Sequence, residues 1–381
     1  MDKFPILSKT IIKCHFALFF FVICDIIKRN KLHFSPQGME NAVWRFNVKI
    51  VGFGDYLIHF SPFGNERFLQ AESMRMSFTG AEANVCAALA LWGENVAFVT
   101  RVPDNALTEK GLMFLRSFGI NTRCVARGGK RMGLYFLENG ASVRPSQVIY
   151  DRMDSGFTEA RVEDFDIPSI LDGADVLYLT GITPALSENL MDCALIFCKE
   201  ARVRGMRVVF DVNFRPTLLD AEKAGENLRL LAPYITHLIG NEEHLKMLLG
   251  IESSFGEDSR KNRLRDIAEQ ARSLLGIPEI AVTARRTLSA SDAVTYAAYL
   301  YGDDLSLSSE YHTHVVDRVG SGDAFSAGFI YGLSRGYSAS DTVGFAAASC
   351  AIKHTITNDI NFASADEIGK VMKNGSSDVR R

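Results

Sequence analysis

From residue 46 onward the chain alternates between short apolar runs and helical stripes. Val48-Lys49-Ile50-Val51-Gly52-Phe53 reads as a buried strand that ends in the turn Gly54-Asp55. Similar runs recur at 95–100, 176–181, 207–211, 238–241 and 279–283, each ending on a polar residue or a glycine. Between them, 83–91 and 108–118 carry apolar residues at helical spacing and stop at Gly93 and Gly119, and a further helix is predicted near 187–204. Strand–helix alternation of this kind predicts an α/β fold, a parallel sheet buried under helices on both faces.

Two segments break the rhythm. Arg131 to Glu138, the turn Asn139-Gly140 and the run ending Gln147-Val148-Ile149-Tyr150-Asp151 spell a hairpin, because Asn-Gly favours the tight turn that joins antiparallel strands. Tyr56-Leu57-Ile58-His59-Phe60 reads as the first strand of a projecting sheet, with a less regular run at 72–78. Residues 252–263 are polar and predict an exposed loop. His312 and His314 alternate on a strand, where two ring nitrogens could share a metal or simply face solvent.

Residues 1–46 are unlike the rest. Phe16 to Cys24 is an unbroken apolar run preceded by Lys3, Lys9 and Lys13, as in a signal peptide, but Asp25-Ile26-Ile27-Lys28-Arg29 follows with no small-residue cleavage site. The run is well short of the ~20 residues that span a bilayer. The expectation is an apolar extension outside the fold, with Met39 as the functional start and no stable membrane association. The 381 residues are 47% hydrophobic and 23% charged, enough to bury a large core. A net charge of −3 leaves no basic footprint for nucleic acid. Seven cysteines without a C-x-x-C pair point to reduced thiols rather than a disulfide framework or a zinc site.

The chemistry concentrates in Val315-Val316-Asp317-Arg318-Val319-Gly320-Ser321-Gly322-Asp323-Ala324-Phe325 and the helical stripe after it. A glycine turn at a helix start leaves several N–H groups unpaired beside the positive end of the helix dipole, which attracts anions. Asp323 falls in the first turn, where the dipole favours its ionised form. A carboxylate beside an anion cradle makes sense when a third group lies between them. A phosphoryl group in transit to a hydroxyl fits, with the amides on the phosphate and Asp323 facing the attacking oxygen. The other polar strand ends (Gly54-Asp55, Asp211 to Arg215, Gly240-Asn241, Thr283) belong at the same edge, where parallel sheets collect ligands.

The string Asp317-x-x-Gly320-x-Gly322-Asp323-x-Phe325-x-x-Gly328 resembles the second signature of the ribokinase (PfkB-type) sugar kinases. The resemblance covers 48 to about 372 and implies a ribokinase-like three-layer α/β/α sandwich. Its mostly parallel central sheet would carry a small β lid at roughly 55–78 and 130–152, in a kinase domain of 47–372 followed by a tail of 373–381. It implies Asp323 as catalytic base, with the amides of Gly320, Ser321 and Gly322 as an anion hole. Asn241, Thr283 and Arg285, with Gly320 and Gly322, would take the nucleotide; ATP and Mg²⁺ would be needed, and the site of use would be the cytoplasm. In this family Asp317 orders the turn and usually neighbours a monovalent cation such as K⁺; a simple turn cap is the other reading.

Several stretches are similar to the 2-dehydro-3-deoxygluconate kinase branch. They are Gly80-Ala81-Glu82-Ala83-Asn84, Gly133-Leu134-Tyr135-Phe136, Tyr150-Asp151-Arg152, Thr180 to Leu186 and Asp211-Val212-Asn213-Phe214-Arg215. They imply that Gly80, Asn84 and Tyr135 meet the sugar, while Tyr150, Arg152 and Arg215 hold its carboxylate, which guanidinium forks pair with well. Arg152 as a lid-surface charge and Arg215 as a partner for Asp211 are the alternatives. Two loops depart from the family: Asn241-Glu242-Glu243-His244 has histidine where glutamate is common, and Thr283-Ala284-Arg285-Arg286-Thr287 lacks the usual glycine. Two rivals remain, a fructokinase-like enzyme for a neutral ketose and a catalytically silent sugar-acid sensor. A homodimer through the lid is compatible with the apolar strand at 56–60.

Overall fold

The computed structural model describes residues 48–375. The expectations for 1–46 and for Met39 lie outside the described residues. The last described helix, Ala365–Asn374, takes in the first two residues assigned to the tail.

In chain order the strands are β1 (Lys49–Phe53), β2 (Leu57–Ser61), β3 (Arg75–Thr79), β4 (Asn95–Val99), β5 (Arg101–Val102), β6 (Ala126–Arg127), β7 (Gly133–Glu138) and β8 (Gln147–Asp151). There follow β9 (Val176–Thr180), β10 (Arg207–Asp211), β11 (His237–Asn241), β12 (Glu279–Thr287), β13 (Asp292–Tyr301), β14 (Asp304–Leu307) and β15 (Tyr311–His314). The main sheet runs β14-β13-β12-β11-β10-β9-β1-β4, with β15 also on β13. From β12 to β4 all neighbours are parallel, and β13 to β15 add an antiparallel margin. A second sheet, β3-β2-β7-β8, joins β2 to β7 in parallel, with antiparallel β3 and β8 outside.

Alternation along each parallel strand divides its side chains between two cores. Val51, Phe53, Leu177, Leu179, Val208, Phe210, Ile280 and Val282 pack with Phe197, Leu228, Leu245 and Ile267 from helices Glu188–Val203, Ala221–Leu231, Glu242–Leu249 and Arg260–Leu275. Ile50, Tyr178, Val209, Ile239 and Ala281 face the other way, toward Phe325, Phe329 and Phe345 from helices Ser321–Ser334 and Ala339–Lys353. These last two helices approach closely because Gly328 lies against Ala346, whose Cα would be 2.8 Å from an added Cβ. Among the described residues no helix is long and apolar enough to cross a membrane.

Two local expectations change. The polar stretch 252–263 is not wholly a loop: Arg260 starts a helix whose Leu264, Ile267, Ala268, Ala271 and Leu275 are buried on one stripe together with Arg263, which pairs with Glu242 at 3.2 Å. The run from 279 does not stop at Thr283. Antiparallel β13 pairs with it residue by residue to Thr287, so the chain stays extended past the edge where β11 ends opposite Thr283.

Candidate active site

One cleft of ≈ 980 Å³ lies over the carboxyl ends of β9 to β12. Gly80, Asn84, Tyr135, Tyr150, Arg152 and Arg215 line it, as do Asn241, Thr283, Arg285 and the turn from Asp317 through Asp323. Segments more than two hundred residues apart in sequence converge because the parallel strands all present their carboxyl ends on one side.

The turn is built for close approach. Gly320 caps helix Ser321–Ser334 at φ 73°, a left-handed conformation that suits glycine. A Cβ there would run into the Asp359 carbonyl, whereas one at Gly322 would meet nothing within 4 Å, so that face is open to the cleft. The first N–H groups of a helix lack acceptors within the helix, and Ser321 N–H makes only a long 3.4 Å contact with the Arg318 carbonyl. Asp317 fixes the approach: one carboxylate oxygen accepts from Val319 N–H at 3.1 Å and the other from Asn358 N–H at 2.9 Å.

Asp323 is 9% exposed, and one of its oxygens accepts a hydrogen bond from the Asn84 amide at 2.8 Å. Burial pushes this carboxyl up to about 7, with Asp211 and Asp359 adding repulsion; the Asn84 hydrogen bond and the Arg215 charge oppose the rise. The helix dipole alone suggested an ionised acid, but burial outweighs it. Asp211, which accepts from Ser326 Oγ at 2.8 Å and from Asn213 N–H at 3.0 Å, is likewise raised by burial to about 6. A carboxyl that exchanges its proton near neutrality can take one from a hydroxyl in the cleft.

The lid side is aromatic and cationic. Tyr135 stacks on Tyr150 with centroids 5.2 Å apart, and the Arg152 guanidinium lies 4.0 Å over the Tyr150 ring. Arg152 is 7% exposed, so it is not a lid-surface charge; its Nη1 is 3.7 Å from the buried Asp55 carboxylate. Arg215 forms no ion pair with Asp211 among the described residues. The Nε atoms of Arg152 and Arg215 are both buried without a hydrogen-bond partner, an arrangement that favours an acidic guest.

At the opposite end, Asn241 caps helix Glu242–Leu249 through Glu243 N–H at 2.9 Å. Glu242 points inward to Lys246 at 2.9 Å and Arg263 at 3.2 Å, which leaves Glu243 as the glutamate facing the cleft. His244 is held down to about 4 by burial and the nearby Arg215 and Arg285 charges, so its ring is neutral at pH 7. His314 meets Asp292 at 3.0 Å and His312 is exposed, so these two strand residues face solvent.

Three residues outside the candidate set shape the cleft. Glu82 is buried away from it and accepts from Thr180 N–H, Thr180 Oγ1 and Thr183 Oγ1 at 2.9–3.2 Å, tying its helix to the end of β9; a side chain at Gly54 would strike it. Asp55 is the buried acid beside Arg152. Asp359 lines the cleft and bonds His59 Nδ1 of β2 at 2.7 Å, linking the second sheet to the segment behind Gly320. The loop-like run Asn358-Asp359 gave no sequence signal for this, because its partner is 300 residues away.

A family model described as pfkB family carbohydrate kinase matches residues 47–364. The chain is 28% identical over 334 residues to a 2-dehydro-3-deoxygalactonokinase of Haloferax volcanii, covering 88% of this chain and 99% of that one. The crystal structure of a 2-dehydro-3-deoxygluconokinase from Thermotoga maritima superposes with a TM-score of 0.83 at 38% identity, over 86% of this chain and 99% of that one. A fructokinase with bound ATP from Xylella fastidiosa, 20% identical over 86% of this chain and 99% of that one, has a TM-score of 0.67 and shares the fold.

Proposed function

The chain belongs to the pfkB family of carbohydrate kinases, and on that footing we propose that it moves the terminal phosphoryl group of ATP onto the terminal hydroxyl of 2-dehydro-3-deoxygluconate. The observation that carries the substrate is the pair of buried, unpartnered guanidinium nitrogens of Arg152 and Arg215 in the cleft that holds Asp323. A neutral sugar offers these nitrogens hydroxyl acceptors but no opposite charge, so it lacks the bidentate ion pairing that a carboxylate makes with a guanidinium. The carboxylate of a sugar acid satisfies them, with Tyr150 at the same end. Gly80 and Asn84 lie beside the hydroxyls, and Tyr135 stacks over the chain of carbons.

Asp323 then accepts the proton of the attacking hydroxyl. Phosphoryl transfer is loose, so this proton leaves late and a carboxylate is base enough. The open amides at Gly320, Ser321 and Gly322 hold the equatorial oxygens of the group in transit. Asn241, Thr283 and Arg285 border the nucleotide end. Glu243 and Asn241 offer the hard oxygens that fit a magnesium ion carried on the phosphates, whose contribution is to neutralise charge there. An enzyme drawing on ATP works where ATP is kept, the cytoplasm.

An ADP-release assay over 2-dehydro-3-deoxygluconate, its galactonate epimer, fructose and gluconate tests this reading. The expected order puts the two deoxy keto acids at least 10²-fold above fructose in kcat/KM; fructose equal or better contradicts it, and binding without ADP release favours the sensor. The pH profile gives an independent check. Asp323 must be ionised to act, so kcat/KM rises with pH and levels above about 7. Asn84→Ala removes a hydrogen bond that lowers this pKa, so the ascending limb moves to higher pH.

On the lid face turned away from the cleft Ile149 is 54% exposed, and Met153, just past β8, is 70% exposed. This apolar edge supports a homodimer through the second sheet. Light scattering is expected to give twice the monomer mass for the wild type and the monomer mass for Ile149→Asp.

A further inference from the structure

Lys353 ends helix Ala339–Lys353 and is fully buried, at 0% exposure. A buried lysine with no structural payload is rare, because removing an ammonium from water is costly unless it is compensated. Its Nζ donates to the Ile356 carbonyl at 2.9 Å, inside the bend that leads to Asn358 and Asp359. That bend is bound to the anion turn at four points. Val316 N–H and Asp317 N–H both donate to the His354 carbonyl at 2.8 and 3.2 Å, Asn358 N–H grips Asp317, and the Asp359 carbonyl closes over Gly320.

Family resemblance calls for an exchangeable monovalent cation beside Asp317. The donor set here is already engaged: each oxygen of Asp317 accepts a backbone N–H group, and a positive charge of the protein's own, the buried Lys353 ammonium, is fixed to the bend behind the turn through the Ile356 carbonyl. We infer that the Lys353 ammonium is a built-in cation that positions the anion turn, so that turnover needs no potassium. The electrostatics agree. Lys353 is pulled below its ordinary range by burial and pushed back by Asp317, Asp359 and Asp323, while its charge offsets the rise that burial imposes on Asp317. Its role is positioning, because it reaches the reacting atoms only through the turn.

The inference rests on the kinase reading, and its test separates the two. Turnover is measured with whichever acceptor in the panel supports ADP release, in potassium chloride and in tetramethylammonium chloride. The wild-type kcat is expected to differ less than threefold between the salts, and the thermal midpoint of the wild type with Mg·ADP to differ by less than about 2 °C, a readout that requires no sugar. In potassium-free buffer, Lys353→Met is expected to lose at least tenfold in kcat with the acceptor KM within threefold, and Lys353→Arg to lose less. Stimulation of the wild type by threefold or more, a larger potassium-dependent rise in its midpoint, or a folded Lys353→Met enzyme outside that kcat and KM pattern overturns the inference. If Lys353→Met does not fold, the two wild-type measurements decide. Absence of ADP release with every acceptor counts against the kinase reading, and the midpoint comparison still tests the cation.

Discussion

Asp323→Asn is expected to lower kcat by ~10²–10⁴ while the KM for the sugar acid changes less than threefold. The side chain keeps its volume and can still meet Asn84, so binding geometry survives, but an amide cannot accept the hydroxyl proton. The same substitution is expected to raise stability. In the folded state the Asp323 pKa is near 7, above the ~3.8 of an exposed aspartate, so the protein favours the neutral form. The sign follows: this group's contribution is most favourable below the unfolded value and is lost as pH rises through about 7. At pH 8 the wild type carries the cost of a buried ionised acid and the asparagine variant does not, a difference of ~1–3 kcal/mol at that pH and little at pH 4. Steady-state kinetics and thermal melts at the two pH values check both halves. A variant with near-normal kcat would falsify the base assignment.

The second large effect concerns the acid end of the substrate. Arg215→Ala is expected to reduce kcat/KM for 2-dehydro-3-deoxygluconate by ~10²-fold, because a carboxylate desolvated in the cleft loses a charged partner. On fructose the loss is expected to stay within about fivefold, so acid-over-neutral preference collapses. Arg152→Ala should act on preference in the same way and also on stability, since it abandons the buried Asp55 carboxylate 3.7 Å away. Adding Asp55→Asn to it is expected to restore the melting temperature without restoring the acid preference. Equal losses on acid and neutral acceptors would assign both arginines to scaffolding.

Why these residues could be read from the chain, and others could not, follows from how local their signals are. The Gly320-Ser321-Gly322-Asp323 turn declares itself because the left-handed residue, the free amides and the acid sit within four positions. The parallel strands are legible because two-sided burial leaves near-continuous apolar runs. Helix Arg260–Leu275 was obscured by its charged first turn, although its buried stripe has ordinary helical spacing. The length of β12 was not legible at Thr283, because what keeps Ala284 to Thr287 extended is β13, a partner supplied by later sequence. Long-range polarity escaped most completely. The raised pKa of Asp323 comes from its burial with Asp211 and Asp359 nearby, and this, the pairing of His59 with Asp359 and the burial of Lys353 are properties of the assembled fold alone.

The most direct test is a crystal structure with the sugar acid and a non-hydrolysable ATP analogue, read for one distance, from the nearer Asp323 carboxylate oxygen to the acceptor hydroxyl. The expected value is roughly 2.6–3.2 Å, with the terminal phosphate resting on the Gly320–Gly322 amides. An acceptor hydroxyl bound beyond hydrogen-bond reach of Asp323, or a phosphate seated away from that turn, contradicts the account.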